Sequence, residues 1–262
     1  MGSLAKTDPA TLSGVALDAF RRAETSMVIR TYLGLAVALA ILAALVWWRR
    51  KRLIETVFEQ ADIFKMFNLL NRARFAFGTA CIFLYVGAEV SIGSVIVNYL
   101  MQANTLGFPA EEAGKHVPFY WGGALVGRFI GAFVLKYVSP GKVLAFNASI
   151  VVVLLLVSAN TVGAVSGWSL LSIGLFNSIM FPTIFALASE GLGDRTADGS
   201  GVLCVAIVGG AIVPVITGAA ADVIGLKAAL IVPAICYLGI LGFGIYTRQR
   251  TAGAVTSAAA AA

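Results

Sequence analysis

The residue with the clearest chemical potential in this 262-residue chain is Glu89, a carboxyl group inside the apolar run 75–101. A carboxylate placed among hydrocarbon is costly unless it is paired, protonated or turned toward a water-filled cavity. Two kinds of chemistry suit it there: hydrogen bonding to the hydroxyls of a polar solute, and uptake of a proton. The structural alternative is an acid paired permanently with a neighbouring helix. Tyr85 stands four residues earlier, on the same face of a helix as Glu89. Arg128, in the run Gly127-Arg128-Phe129-Ile130-Gly131, is the candidate ion-pair partner, a contact that needs its full side-chain reach. Its other option is to extend with Lys136 to the membrane interface. Asn98 and Asn177 are further substrate-binding candidates, with Ser91 and Thr183 in support. Asn98 lies 98 − 89 = 9 residues beyond Glu89, off the Tyr85–Glu89 face. Asn177 serves equally well as an interhelical hydrogen-bonding group, a contact worth about 1 kcal/mol.

The elements that position these residues are set by a need for long, uninterrupted apolar runs. Charged residues make up 12% of the chain against 59% hydrophobic, and the mean hydropathy is +0.90. A soluble domain carries about 25% charge, so this composition indicates a membrane protein. Seven apolar stretches, at 32–48, 75–101, 117–137, 143–159, 167–189, 201–223 and 228–247, approach or reach the ~20 residues that a helix needs to cross a ~30 Å hydrocarbon core. The expected fold class is therefore an all-α membrane protein with seven transmembrane helices. Pro140-Gly141 marks a tight turn between the third and fourth, and the Gly/Asp-rich stretch 191–201 is expected to be a loop.

The remaining segments follow from charge. Residues 1–30 read as a hydrophilic N-terminal tail, 31–48 as one helix, 49–74 as a basic linker and 75–247 as a six-helix unit. Residues 248–262 are a low-complexity tail with nothing to pack, expected to be disordered. Within the linker, Leu53, Ile54, Val57, Phe58, Ala61 and Phe64 recur at helical spacing, which suits either an amphipathic interfacial helix or a solvated connection. Lys and Arg crowd one side of the membrane, among them Arg49, Arg50, Lys51, Arg52, Lys136, Lys142 and Arg248, against Lys115 and Lys227 in the loops of the other side. The basic side is expected to be cytoplasmic, as is the C-terminus. An odd number of helices then places the basic segment 1–30 outside, which suggests the remnant of an external loop and a chain that is part of a longer one.

The sequence also repeats. Gly122-Gly123-Ala124-Leu125-Val126 followed by Gly131-Ala132 matches Gly209-Gly210-Ala211-Ile212-Val213 followed by Gly218-Ala219, at an ungapped offset of 209 − 122 = 87. The same offset lays Gly87, Ser91 and Ile92 on Gly174, Ser178 and Ile179. Three helices repeated once must place the second copy upside down. Such inverted triplets build each half of a major facilitator transporter. Gly123, Gly127 and Gly131 form consecutive small-residue steps for close helix packing, and Pro182 and Pro214 are expected hinges or kinks.

Other chemistry lacks its residues. There is no phosphate-binding G-x-x-x-x-G-K-[ST] loop, no zinc-ligand set and no nucleophile with a base, so neither an enzyme nor a cofactor is expected. Cys81, Cys204 and Cys236 lie in apolar runs and read as small packing residues. The net charge of +6 is distributed as membrane topology requires, and nucleic acid is not an expected partner.

The run from Phe83 to Ser94, with Tyr85 and Glu89 inside it, resembles the seventh helix of the fucose/galactose/glucose:proton symporter family of the major facilitator superfamily. Gly127–Gly131 looks like that family's eighth helix, and Met180–Phe185 and Gly199–Ala211 like its tenth and eleventh. The bacterial glucose/galactose transporters are the subgroup it is most similar to. The resemblance implies twelve helices in two halves, a central monosaccharide site and alternating access. It makes 75–247 the C-terminal half and 31–48 the sixth helix, with the first five helices, which hold the family's usual proton-coupling acids, absent. The expected partners are thus a monosaccharide, a coupling proton or sodium ion, the lipid bilayer of the inner membrane, and a separate N-terminal half or a second copy of the chain. A membrane sugar sensor that does not transport, or an inactive truncated remnant, is the alternative.

Overall fold

The structure is a computed structural model that describes residues 13–49 and 66–260, with the side chains of 16, 17, 23, 24, 27, 28 and 249–260 outside the description. The linker helix considered for residues 53–64 lies outside the described residues. The chain divides into two units, Met1–Gln60 and Ala61–Ala262.

The first unit contains α1 (Val15–Arg49), whose part Ile29–Arg49 is long and apolar enough to cross a membrane. The helix starts well before the expected boundary near residue 32. Residues 15–30 contain no proline, and their Ala, Leu, Arg and Glu are good helix formers, so hydrophilicity here ends the apolar stretch without ending the helix.

Six further spans occur among the described residues of the second unit. They are α2 (Ala73–Met101), α3 (Ala110–Val134), α4 (Pro140–Asn160), a broken span made of α5 (Gly163–Asn177) and α6 (Met180–Ser189), a second broken span made of α7 (Thr196–Val205) and α8 (Gly209–Ile224), and a last one of α9 (Leu226–Ala229) and α10 (Ile231–Ala260). All are helical, and no strand occurs among the described residues. Glu111 and Glu112 in the first turn of α3 suit the positive end of its dipole, and Pro140 opens α4 where its missing N–H costs nothing. Gly225 turns the chain between α8 and α9 at φ +84°, a backbone region closed to most side chains.

Two expectations change. The stretch 191–201 is not a loop throughout: a 3₁₀ turn at Gly193–Arg195 leads straight into α7. The tail beyond 248 is not irregular but continues α10 to Ala260, because an alanine-rich sequence has the highest helix propensity and meets no proline.

Packing follows the repeat. α3 lies on α5 and α2 lies on α8, pairs that the offset of 87 makes equivalent; α4 lies on α5 and α2 on α10 in the same relation. At both crossings a glycine sets the distance. A methyl group at Gly127 would meet the Leu175 carbonyl oxygen at 2.0 Å, and one at Gly209 would meet that of Phe83 at 2.0 Å. On the same face of α3, a methyl group at Gly131 would meet the Ile179 side chain at 2.5 Å. One end of the unit is fastened by Arg74, which hydrogen-bonds the Leu187 carbonyl at 2.8 Å and pairs with Glu190. At the other end the Tyr99 hydroxyl donates to the Ser158 carbonyl at 2.7 Å.

Candidate functional site

Midway along the bundle four helices meet around Asn177, the last residue of α5. Its side chain is fully buried and both ends of the amide are used: Nδ2 donates to the Tyr120 hydroxyl at 2.9 Å, and Oδ1 accepts from the Tyr237 hydroxyl at 2.8 Å. Its carbonyl, at the end of α5 where the next turn is missing, receives the Tyr85 hydroxyl at 2.9 Å. The Tyr85 hydroxyl lies 2.8 Å from Glu89 Oε1 as well. Glu89 is half-buried on α2, sixteen residues from Ala73 and twelve from Met101, close to the midpoint of the span. A deeply buried set of three tyrosines and an amide thus stands behind one acid that still reaches the surface of the bundle.

Counting hydrogens constrains this set. The Tyr85 phenol has a single O–H, and a carbonyl oxygen only accepts. If Glu89 carries a proton, it donates to Tyr85 and Tyr85 donates to Asn177, so every contact is a hydrogen bond. If Glu89 is ionised, the carboxylate competes with the Asn177 carbonyl for that one hydrogen and wins, since charge-assisted hydrogen bonds are about twice as strong as neutral ones.

Arg128 occupies a neighbouring position with another task. Pro182 has no N–H to offer the carbonyl four residues before it, which is that of Ser178. Arg128 fills the gap, its Nε at 3.4 Å and Nη2 at 3.3 Å from that oxygen. No salt bridge joins Arg128 to Glu89 in this structure; the guanidinium supports the break in the span, and the acid is held by Tyr85. Ser178 and Ile179 form the turn at the break, between α5 and α6. Pro214 lies inside α8, after a 3₁₀ turn at Ala206–Val208.

The other sequence candidates separate from this cluster. Asn98 is exposed and makes no side-chain hydrogen bond among the described residues. Ser91 bonds its own helix at Gly87 and receives Thr217 at 3.2 Å, a contact between α2 and α8. Thr183 bonds the Ile179 carbonyl at 2.6 Å within its own turn. Tyr120 and Tyr237 were not anticipated. The signal was present: a tyrosine hydroxyl deep in an apolar span must find a partner, and each sits near the middle of one.

No protein-family model matches the chain. Over 230 residues it is 46% identical to the glucose/galactose transporter of Brucella abortus, an alignment covering 88% of this chain and 56% of that protein. It is 35% identical over 172 residues to the L-fucose-proton symporter of Escherichia coli, covering 64% and 38% respectively. The crystal structure of the major facilitator transporter FucP in its outward conformation superposes with a TM-score of 0.67 at 28% identity, covering 93% of this chain and 59% of FucP. A second crystal structure, of a variant of the Escherichia coli fucose:proton symporter FucP, gives a TM-score of 0.69 at 27% identity, covering 93% and 60%.

Seven apolar helices among the described residues, the inverted triplets and these similarities define a multi-pass membrane protein of the major facilitator superfamily. Within it the chain belongs to the fucose/galactose/glucose:proton symporter family, as the C-terminal part of that fold. It spans about half the length of the curated relatives it matches.

Proposed function

We propose that the chain forms the C-terminal half of a proton-coupled glucose/galactose-type symporter, seated in the inner membrane with its C-terminus in the cytoplasm. In this reading it carries a monosaccharide by alternating access against an N-terminal half, or against a second copy of itself. The observation that carries the proposal is Glu89, held by Tyr85 at the middle of a span in a chain 46% identical to a glucose/galactose transporter. Glu89 is the sugar-facing group, Tyr85 behind it controls its hydrogen bonding, and Asn177 positions Tyr85.

Coupling follows from the single hydrogen on Tyr85. With Glu89 protonated, Tyr85 closes onto the Asn177 carbonyl and the end of α5 is satisfied. Proton loss draws that hydrogen to the carboxylate and leaves the carbonyl open, beside the Ser178 carbonyl that Arg128 already serves. The break between α5 and α6 therefore responds to the charge state of Glu89, and a sugar hydroxyl competes for the same acceptor. Such breaks at the midplane are where transporters of this architecture bind substrate and bend.

The test is equilibrium binding of labelled glucose, galactose and fucose to the purified chain across pH, with and without sodium. Binding whose strength follows pH and ignores sodium supports the reading; sodium dependence reassigns the coupling ion. Tyr85→Phe removes the shared hydrogen while keeping the ring. Its sugar affinity is expected to fall about tenfold, the loss of one hydrogen bond to a charged group, and its pH dependence to flatten. An unchanged pH profile in Tyr85→Phe would count against the relay.

A further inference from the structure

Away from the tyrosine cluster, a cleft of about 430 Å³ opens between α3, α4 and the end of α5. Ile130, Val134, Val143, Phe146 and Leu175 contribute apolar walls. Two groups in it are out of keeping with those walls. Asn147 is 8% exposed, lines the cleft, and its amide has no hydrogen-bond partner among the described residues. Lys142, near the start of α4, lines the cleft too and is exposed, with no ion pair among the described residues.

An amide that faces the cleft without a partner is unfavourable, since in hydrocarbon no solvent relieves it. Water is a poor occupant, since an ordered molecule needs two to four polar partners and the cleft presents few. A sugar fails for the same reason. The charge and the amide sit five residues apart on one helix, a rise of about 7.5 Å. Lys142 lies toward the membrane surface and Asn147 deeper. An amphiphile that fits presents an anion at the surface, a hydrogen-bond acceptor one step below it, and an apolar chain beyond.

We propose that this cleft is a binding site for an anionic glycerophospholipid, with Lys142 receiving the phosphate, the Asn147 amide donating to an ester carbonyl, and one acyl chain lying along α3 and α5. The lipid enters from the leaflet at the α4 N-terminus. The cleft also touches Ser178 and Ile179, the turn between α5 and α6, so occupancy bears on how that break moves. The site stands apart from Glu89 and does not depend on the sugar reading.

The experiment is native mass spectrometry of the full chain in an uncharged polyoxyethylene detergent, titrated with phosphatidylglycerol or phosphatidylcholine of matched chains. One phosphatidylglycerol is expected to be retained per chain, roughly tenfold more tightly than phosphatidylcholine, as one charge-assisted hydrogen bond allows. Lys142→Gln is expected to erase the headgroup preference. Asn147→Leu is expected to weaken both lipids while circular dichroism reports an unchanged helical fold. Equal retention of the two lipids by the unaltered chain overturns the proposal. So does a headgroup preference that survives Lys142→Gln, or undiminished retention by a folded Asn147→Leu chain. If Asn147→Leu loses helical structure, Asn147→Asp decides in its place: the introduced negative charge must lower phosphatidylglycerol retention, and retention at the original level overturns the site.

Discussion

Glu89→Gln is expected to abolish the pH dependence of sugar binding and to weaken binding by about a hundredfold. Glutamine preserves the size of the side chain and its acceptor oxygen but cannot gain or lose a proton, so the Tyr85 hydrogen stays with one arrangement at all pH values. The magnitude reflects two hydrogen bonds to a charged group lost together, each at the lower end of about 1.5–3 kcal/mol. Binding isotherms of the two proteins at several pH values measure it. The expected pair of results is a pH-linked affinity in the unaltered chain and a flat, weak one in the variant. A variant whose affinity still follows pH would place the titrating group elsewhere. Tyr120 and Tyr237 from the packed helices, and Arg128 beside the break, are the other ionisable groups in that neighbourhood.

The second large effect is on stability. Gly127→Ala places its methyl 2.0 Å from the backbone oxygen of Leu175, which cannot turn aside as a side chain would. The helices must separate, and a cost of at least about 3 kcal/mol is expected, the upper end of the range for overpacking. Gly122→Ala is the matched control five residues away, because nothing lies within 4 Å of a methyl there. That substitution should be neutral or should stabilise by up to about 1 kcal/mol, the helix-propensity difference between the two residues. Thermal unfolding followed by circular dichroism separates them. Similar melting temperatures for both variants would contradict the close crossing of α3 and α5.

Much of this fold was legible in the residues, because membranes impose one strong rule. Backbone groups in hydrocarbon must be satisfied within the segment, so long apolar stretches become helices. The repeat at offset 87 held more than helix positions: it made the α3–α5 and α2–α8 crossings equivalents, and the bundle pairs them accordingly. Glu89 stood out for its cost, and Tyr85 for its spacing from it. The ends of helices were less legible. Hydropathy marks where lipid stops, whereas a helix runs on while its residues allow, as α1 does toward Val15 and α10 toward Ala260.

The centre of the site was legible only in part for a different reason. Asn177, Tyr120 and Tyr237 lie on three helices far apart in the sequence, and no local spacing connects them. Arg128 shows the same limit. Its charge suggested a carboxylate partner, but the vacancy it fills is a carbonyl exposed by Pro182, two spans further along the chain. The proline predicted a freed carbonyl, and the arginine needed a partner. Only the packing of α3 on α5 brings the two together.

Accumulation of labelled sugar in proteoliposomes under an imposed inward proton gradient tests the sugar:proton reading most directly. The purified chain is measured alone and reconstituted together with the N-terminal half of a glucose/galactose transporter. Uptake of glucose or galactose above the external concentration is expected in at least one preparation, collapsing when the gradient is dissipated and absent with Glu89→Gln. Folded protein that accumulates neither sugar in either preparation, or that accumulates it equally without the gradient, would contradict proton-coupled sugar transport through this half.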